Sequence, residues 1–248
     1  VPYEKNQESI EYVAKQLREL KRFLEDVTGK KIPEEAVKAA VDNSRKAAEY
    51  YEKQLLLRKD HDITSTLTNE LYALFMCHLL AGTESSVKYT QMLYDDVKNA
   101  PKSEGFHVLW MHTMPFLQEA VKDVFNYSDR IHISASDFIA DGFHRMHFED
   151  PYEAMAEKMV NCIYNGSIDQ RIEEAKKLAD TVAADGSILF THWGCKNTIG
   201  ASGLIKKSLE ENGIPTMILD GDGCNPANAS DGQISTRLQA FVEMLGHK

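Results

Sequence analysis

Past Ser103 the apolar residues stop recurring every three or four positions and begin to bunch into short runs. That change of rhythm constrains the fold of this chain more than any other feature. The runs are His107–Met111, Arg130–Ser134, Ser187–Thr191 and Pro215–Leu219, each of a length that suits a buried strand. Helical patterns separate them: Pro115–Phe125, then Pro151–Tyr164 with Asp169–Ala184, then Ile199–Asn212. A last helix is expected from about Asp231 to Leu245, with Ser230 and Gln233 as a capping box and Ile234, Leu238, Phe241, Val242 and Leu245 as its apolar face. Strand–helix alternation implies a parallel sheet with right-handed crossovers. The expected fold class is therefore α/β: a helical region at 1–104, then a doubly wound, flavodoxin-like parallel sheet of about four strands at 105–248.

The first hundred residues read as helices. From Ile10, the positions Val13, Ala14, Leu17, Leu20, Leu24 and Val27 fall on one face, and Gly29 ends the helix. Pro33 opens a second, long and highly charged helix, with Glu34 and Glu35 in its first turn where the dipole favours acids. Much of that helix should be a solvated face. Ser65 to Leu80 is more apolar and is expected to be buried, and Ser85 to Ala100 gives one more amphipathic helix stopped by Pro101.

Bulk properties exclude several function classes. With 248 residues, 43% of them hydrophobic, the chain can bury a substantial core. A net charge of −10 without a basic run argues against binding a phosphate backbone. No apolar stretch approaches the roughly 20 residues that span a bilayer, and no charged-then-apolar leader precedes the first helix. The four cysteines, Cys77, Cys162, Cys195 and Cys224, are far apart and form no CxxC pair, which fits a reducing cytoplasm. Val1 and Pro2 lead straight into a helix, so the chain reads as a piece of a longer protein.

In open α/β sheets ligands bind beyond the carboxyl ends of the strands. Here those ends carry reactive types: His112 and Thr113; Ser134, Ser136 and Asp137; His192, Trp193, Gly194, Cys195 and Lys196; Asp220, Gly221, Asp222, Gly223 and Cys224. Cys195 is the leading candidate. It is expected between a strand end and a helix N-terminus, beside Lys196, where dipole and ammonium both favour the thiolate that binds metal or attacks carbon. Position alone does not separate this from a small buried cysteine filling a loop. Gly194 to Gly203 fails as a phosphate loop, since the glycines are one residue too far apart and Ala201 stands where the lysine belongs. Asp220, Asp222 and Cys224 suit a glycine-spaced turn better than a metal cluster. His112 and His192 read equally as acid–base groups, ligands or hydrogen-bonded loop histidines. A zinc hydrolase built on His192, Cys195 and Cys224 lacks close ligand spacing. Cys77 and Cys162 fall on helices as core residues. His144 and His147 near Arg145 could hold a phosphate in a loop, but simple exposure suits them better.

With these ends in view the sequence resembles a known family. The motifs are Thr191-His192-Trp193-Gly194-Cys195-Lys196, Gly213-Ile214-Pro215, Asp220-Gly221-Asp222-Gly223, Asp231-Gly232-Gln233, and Thr236-Arg237 with Ala240-Phe241. In that order they resemble the C-terminal signature of the 2-hydroxyacyl-CoA dehydratase and benzoyl-CoA reductase family. Phe23-Leu24-Glu25 and Thr28-Gly29-Lys30-Lys31 resemble its middle segment. The resemblance implies one subunit of a heterodimeric hydro-lyase of anaerobic amino-acid fermentation, paired with a sister dehydratase subunit. It implies a [4Fe–4S] cluster on three cysteines, with Cys195 as the third and the other two in an N-terminal α/β domain that these residues do not include. His192 and Lys196 would then neighbour the cluster and tune it. An ATP-dependent iron–sulfur activator would deliver one electron to the acyl-CoA thioester, forming a ketyl radical that expels the 2-hydroxyl as water. The same resemblance allows a benzoyl-CoA-type or other low-potential reductase subunit, or a non-catalytic cluster-binding partner subunit.

Overall fold

The computed structural model describes residues 1–61, 65–228 and 231–247. Four helices come first: α1 (Gln7–Thr28), α2 (Glu34–Leu57), α3 (Leu67–Leu79) and α4 (Glu84–Asn99). The Asn6 side chain caps α1 by accepting from the Ser9 N–H at 2.9 Å. Gly29 ends it at φ +67°, a left-handed conformation that suits glycine, with its N–H bonded to the Glu25 carbonyl. Pro33 stands at the N-cap of α2, with Glu34 and Glu35 in the first turn as expected.

The apolar sides of these helices are covered only in part, and one expectation needs correction. Only the N-terminal half of the α1 stripe is covered: Ile10, Val13 and Ala14 are buried, while Leu20, Phe23, Leu24 and Val27 are exposed. Helix α3 is not buried as a whole. Leu67, Ala73 and Cys77 pack inward, but Tyr72, Phe75 and Leu79 face outward, because the helix packs only one side against α4, α5 and α6.

From Phe106 the chain alternates: β1 (Phe106–Met111), α5 (Glu119–Phe125), β2 (Ile131–Ser136), α6 (Asp137–Gly142), α7 (Pro151–Asn161), α8 (Ile168–Thr181), β3 (Gly186–His192), α9 (Lys196–Glu211), β4 (Thr216–Gly221) and α10 (Asp231–Leu245). The expected strands and α10 are all present within a residue or two. The six-residue α6 was not expected, and α9 begins a turn earlier than its apolar pattern suggests. The five apolar residues of α10 are buried as anticipated; Ser230 of the expected capping box lies outside the described residues.

The strands form one all-parallel sheet in the order β2-β1-β3-β4. The chain leaves β1 for β2 on one side, then crosses back over β1 to β3 on the other. Right-handed crossovers put α5 and the packed α10 on one face and α8 and α9 on the opposite one. This is a doubly wound α/β fold, with the reversal point between β1 and β3.

One core runs through both parts. Ala47, Ala48, Tyr51 and Leu55 of α2 and Leu67, Ala73 and Cys77 of α3 join the sheet residues Trp110, Ile131, Ile188 and Leu219 in it. Trp110 is fully buried, meets Phe125 edge-on at 5.6 Å and donates its indole N–H to the Thr113 carbonyl at 3.0 Å. Each large apolar side chain fully buried here contributes about 1.5–3 kcal/mol. A second cluster joins Ile10, Val13 and Ala14 of α1 to Tyr152, Ala156 and Val160 of α7. Among the described residues no helix is long and apolar enough to cross a membrane.

Candidate functional site

The carboxyl ends of the strands converge where the doubly wound fold reverses. Strand β3 ends in His192, and Trp193 and Gly194 carry the chain to Cys195, the N-cap of α9. The Cys195 N–H bonds the His192 carbonyl at 2.8 Å, and the Ile199 N–H bonds the Cys195 carbonyl at 3.1 Å. The Cys195 side chain does not cap the helix in the usual way. Its Sγ lies 3.6 Å from Thr198 Oγ1 and is half-buried.

Cys195 differs electrostatically from Cys77, buried in α3, and from Cys162, the half-buried residue that ends α7 and that the sequence had put on a helix. Burial alone pushes its thiol up. The backbone and hydroxyl of Thr198, the backbone of Asn197 and the charge of Arg171 outweigh that effect and hold it below its ordinary value. Burial instead pushes Cys77 up to about 12, and its Sγ donates to the Leu74 carbonyl at 2.9 Å. Burial and the neighbouring Asp141 carboxylate push Cys162 up as well.

The cation acting on the sulfur was not anticipated. Lys196 is exposed, whereas Arg171 of α8 is almost fully buried. Arg171 anchors a polar cluster at the strand ends. It faces Asp137 at 3.5 Å, lies over the Tyr164 ring at 4.6 Å and donates from Nη1 to Asn197 Oδ1 at 3.4 Å. Asp137 also accepts the His112 N–H and the Tyr164 hydroxyl, each at 2.7 Å. These bonds tie the ends of β1 and β2, the α7–α8 connection, α8 and the start of α9 into one unit. Burial pushes the Asp137 carboxyl up against the opposing pull of Arg171 and its hydrogen bonds.

His112 sits at φ +72° and is buried. Burial, with the nearby Arg171 and His192, lowers its pKa to about 4, so the ring is neutral at pH 7. It contacts Thr113 Oγ1 at 3.2 Å and bonds the Phe190 backbone, the pattern of a hydrogen-bonded loop histidine. His192 accepts the Gly223 N–H on Nδ1 at 3.1 Å. Its Nδ1 is 3.8 Å from Asp222 Oδ1, and one ligand atom each from His192, Asp222 and Cys224 falls within a 4.8 Å cluster. The Nδ1 lone pair is already taken, which leaves only Nε2 to a metal. The Asp222 carboxylate already accepts the Cys224 and Asn225 N–H groups and the Asn228 amide. That is a turn clasped onto His192, as the glycine spacing suggests, and Cys195 is not part of it. Buried Gln118, also unforeseen, props the turn from below by donating to the Asp222 carbonyl at 3.1 Å. Asp220 pairs with Arg237 at 2.9 Å, so two of the motif residues latch α10 to β4.

The chain is similar to known proteins along nearly its whole length. The family model described as "2-hydroxyglutaryl-CoA dehydratase, D-component" matches residues 1–245. The (R)-phenyllactyl-CoA dehydratase alpha subunit of Clostridium sporogenes is 22% identical over 97% of this chain and 60% of its own length. The alpha subunit of (R)-2-hydroxyglutaryl-CoA dehydratase from Acidaminococcus fermentans is 23% identical over 99% of this chain and 54% of its own length. A benzoyl-CoA reductase subunit of Thauera aromatica is 24% identical over 40% of this chain and 23% of its own length. The chain thus spans a little over half the length of the two dehydratase subunits it matches end to end. It belongs to the 2-hydroxyglutaryl-CoA dehydratase D-component family.

Proposed function

We propose that this chain is part of a subunit of a 2-hydroxyacyl-CoA dehydratase, and that Cys195 is its ligand to a [4Fe–4S] cluster. The observation that carries the reading is the state of Cys195: a half-buried thiol at a strand-to-helix turn, drawn down by backbone donors and a buried arginine. Thiolate is the form that iron binds. The donor set fits a shared cluster. This chain offers one such thiolate, Cys77 and Cys162 are held protonated by burial, and Cys224 belongs to the turn on His192. The remaining ligands then lie in the part of the subunit that the relatives have beyond this match.

When bound, the cluster supplies low-potential one-electron chemistry to an acyl-CoA thioester, received from an ATP-dependent activator protein. The residues of this chain hold and shield the site. Thr198 and Asn197 fix the sulfur, and the Asp137–Arg171 pair fixes the turn that carries it. His192 is held by Gly223, with Lys196 at the open side. The net change is loss of water from an (R)-2-hydroxyacyl-CoA to give a 2-enoyl-CoA. A sister subunit completes the complex, in keeping with relatives named as alpha subunits.

Anaerobic purification of the full-length protein with its sister subunit tests the reading. Iron with equimolar sulfide, and 2-enoyl-CoA formed from a 2-hydroxyacyl-CoA after activation, are expected. Zinc, or no metal, would overturn it. A second reading, a reductase subunit, draws on the partial match to the benzoyl-CoA reductase of Thauera aromatica. Reduction of an aromatic acyl-CoA without release of water would select it.

A further inference from the structure

A cavity of about 240 Å³ lies where α2, α3 and α4 meet the carboxyl end of β2. Drug-sized ligands occupy roughly 300–1,000 Å³, so this one suits a smaller molecule. Three polar side chains that line it are almost fully buried: Tyr51 is 6% exposed, Gln54 1% and Ser136 3%. The Tyr51 and Ser136 hydroxyls make no hydrogen bond among the described residues. Gln54 accepts from Arg58 Nε at 2.9 Å through Oε1, and its amide N–H groups have no partner among them. None of these three groups is sealed off as the Ser187 hydroxyl is, so their free donors open onto the cavity. Burial pushes the Tyr51 hydroxyl well up, and it stays a neutral donor. Arg58 and Glu70 line the same cavity with largely buried side chains. They stand 3.8 Å apart, beyond hydrogen-bond reach. Arg58 Nη1 is spent on the Ile133 carbonyl at 3.0 Å, and the Glu70 carboxylate accepts no hydrogen bond among the described residues. Of the other acids, Asp96 is exposed at the cavity mouth, and Asp137, next to Ser136, is turned to Arg171. Ala73, Leu93 and Ile139 supply an apolar side.

We infer that this cavity binds a small zwitterion, an α-amino acid with an apolar side chain. The ligand's carboxylate accepts from Tyr51, Gln54 and Ser136, with Arg58 as its counter-charge, and its ammonium pairs with Glu70. Free donors grouped at a buried end call for an acceptor, and a largely buried carboxylate without donors calls for N–H groups. Glu70 repels a bare anion and Arg58 a bare amine, whereas a zwitterion answers both. The inference rests on these residues and does not need the dehydratase reading.

Calorimetric titration of the full-length protein with L-alanine, L-valine and L-leucine tests it, with propionate and propylamine as the two halves of the ligand. Saturable binding of at least one amino acid is expected, with both halves weaker by about tenfold or more, since a hydrogen bond to a charged group is worth that much. Tyr51→Phe and Ser136→Ala each remove a hydroxyl that has no partner among the described residues. Each should therefore leave the melting temperature unchanged while weakening the amino acid by about tenfold or more. Glu70→Gln should also weaken the amino acid but leave propionate binding no weaker. Absence of saturation with all three amino acids means a cavity that holds only water and would overturn the inference. Propionate bound as tightly as the amino acid, or affinity unchanged in both hydroxyl variants, would overturn it as well.

Discussion

Asp137→Ala is the most informative single perturbation of the scaffold. Asp137 and Arg171 are 1% and 3% exposed and face each other at 3.5 Å. Removing the carboxylate takes away the acceptor for the His112 N–H and the Tyr164 hydroxyl. It also leaves Arg171, whose Nε and Nη2 already lack hydrogen-bond partners, as a buried charge without its facing carboxylate, held only by Asn197 and the Tyr164 ring. Breaking one side of such a pair costs about 3–5 kcal/mol, a large share of the roughly 5–15 kcal/mol that stabilises a domain. A loss of about 4 kcal/mol is close to a thousandfold in the unfolding equilibrium. Asp137→Asn keeps an acceptor and the volume and should lose less. Adding Arg171→Met to Asp137→Ala removes the stranded charge and should restore about 1–3 kcal/mol. Urea unfolding followed by far-ultraviolet circular dichroism gives all four stabilities. A loss under about 1 kcal/mol for Asp137→Ala, or no recovery in the double variant, would refute the reasoning.

Three further outcomes are expected. A Cβ at Gly142 would collide with Cys77 Sγ and crowd Cys77 Cβ at 2.9 Å, so Gly142→Ala should destabilise by about 1–3 kcal/mol, and Cys77→Ala in the same chain should relieve only the sulfur's share, as thermal unfolding will show. Glu25 accepts the Ile32 N–H and pairs with Lys21 and Lys31, which hold its pKa at about 2 in the folded chain against an ordinary 4.5. Its contribution to the α1–α2 junction is therefore present above pH 4.5 and lost as pH falls towards 2; the protection of the Ile32 amide, its exchange rate relative to the unfolded chain at the same pH, should fall over that window, and Glu25→Gln should flatten the dependence. In metal-free protein Cys195 should alkylate well before Cys77 at pH 8, read by peptide mass spectrometry, since one thiol is drawn down and the other raised to about 12.

The sheet was legible because its strands are buried on both faces. Ser187–Thr191 reads as one continuous apolar run, and β3 is buried almost to its last residue. Helix α6 was not, because six residues hold under two turns of periodicity and begin at Asp137, which reads as a strand-end acid. The exposed side of α3 misled for a related reason. Tyr72, Phe75 and Leu79 have core composition, and composition does not say which side meets the neighbouring helices. Within the site, Cys195 was legible because a strand end and a helix start lie close on either side and fix its place. Arg171 and Tyr164 were not. Arg171 lies in a helix rich in Glu, Lys and Asp, where a solvated arginine is the ordinary reading, and only the crossover from β2 to β3 carries it under the cysteine turn. Asp137 at a strand end was the available hint, since a buried carboxylate needs a partner.

The central claim is that Cys195, and not Cys224, binds the cluster in the full-length protein. Iron and sulfide content with visible absorption, measured on anaerobic Cys195→Ala and Cys224→Ala variants, tests it most directly. Cys195→Ala is expected to lose or destabilise the cluster and all dehydration, with Cys224→Ala keeping both. A Cys195→Ala protein with a full, active cluster would contradict it.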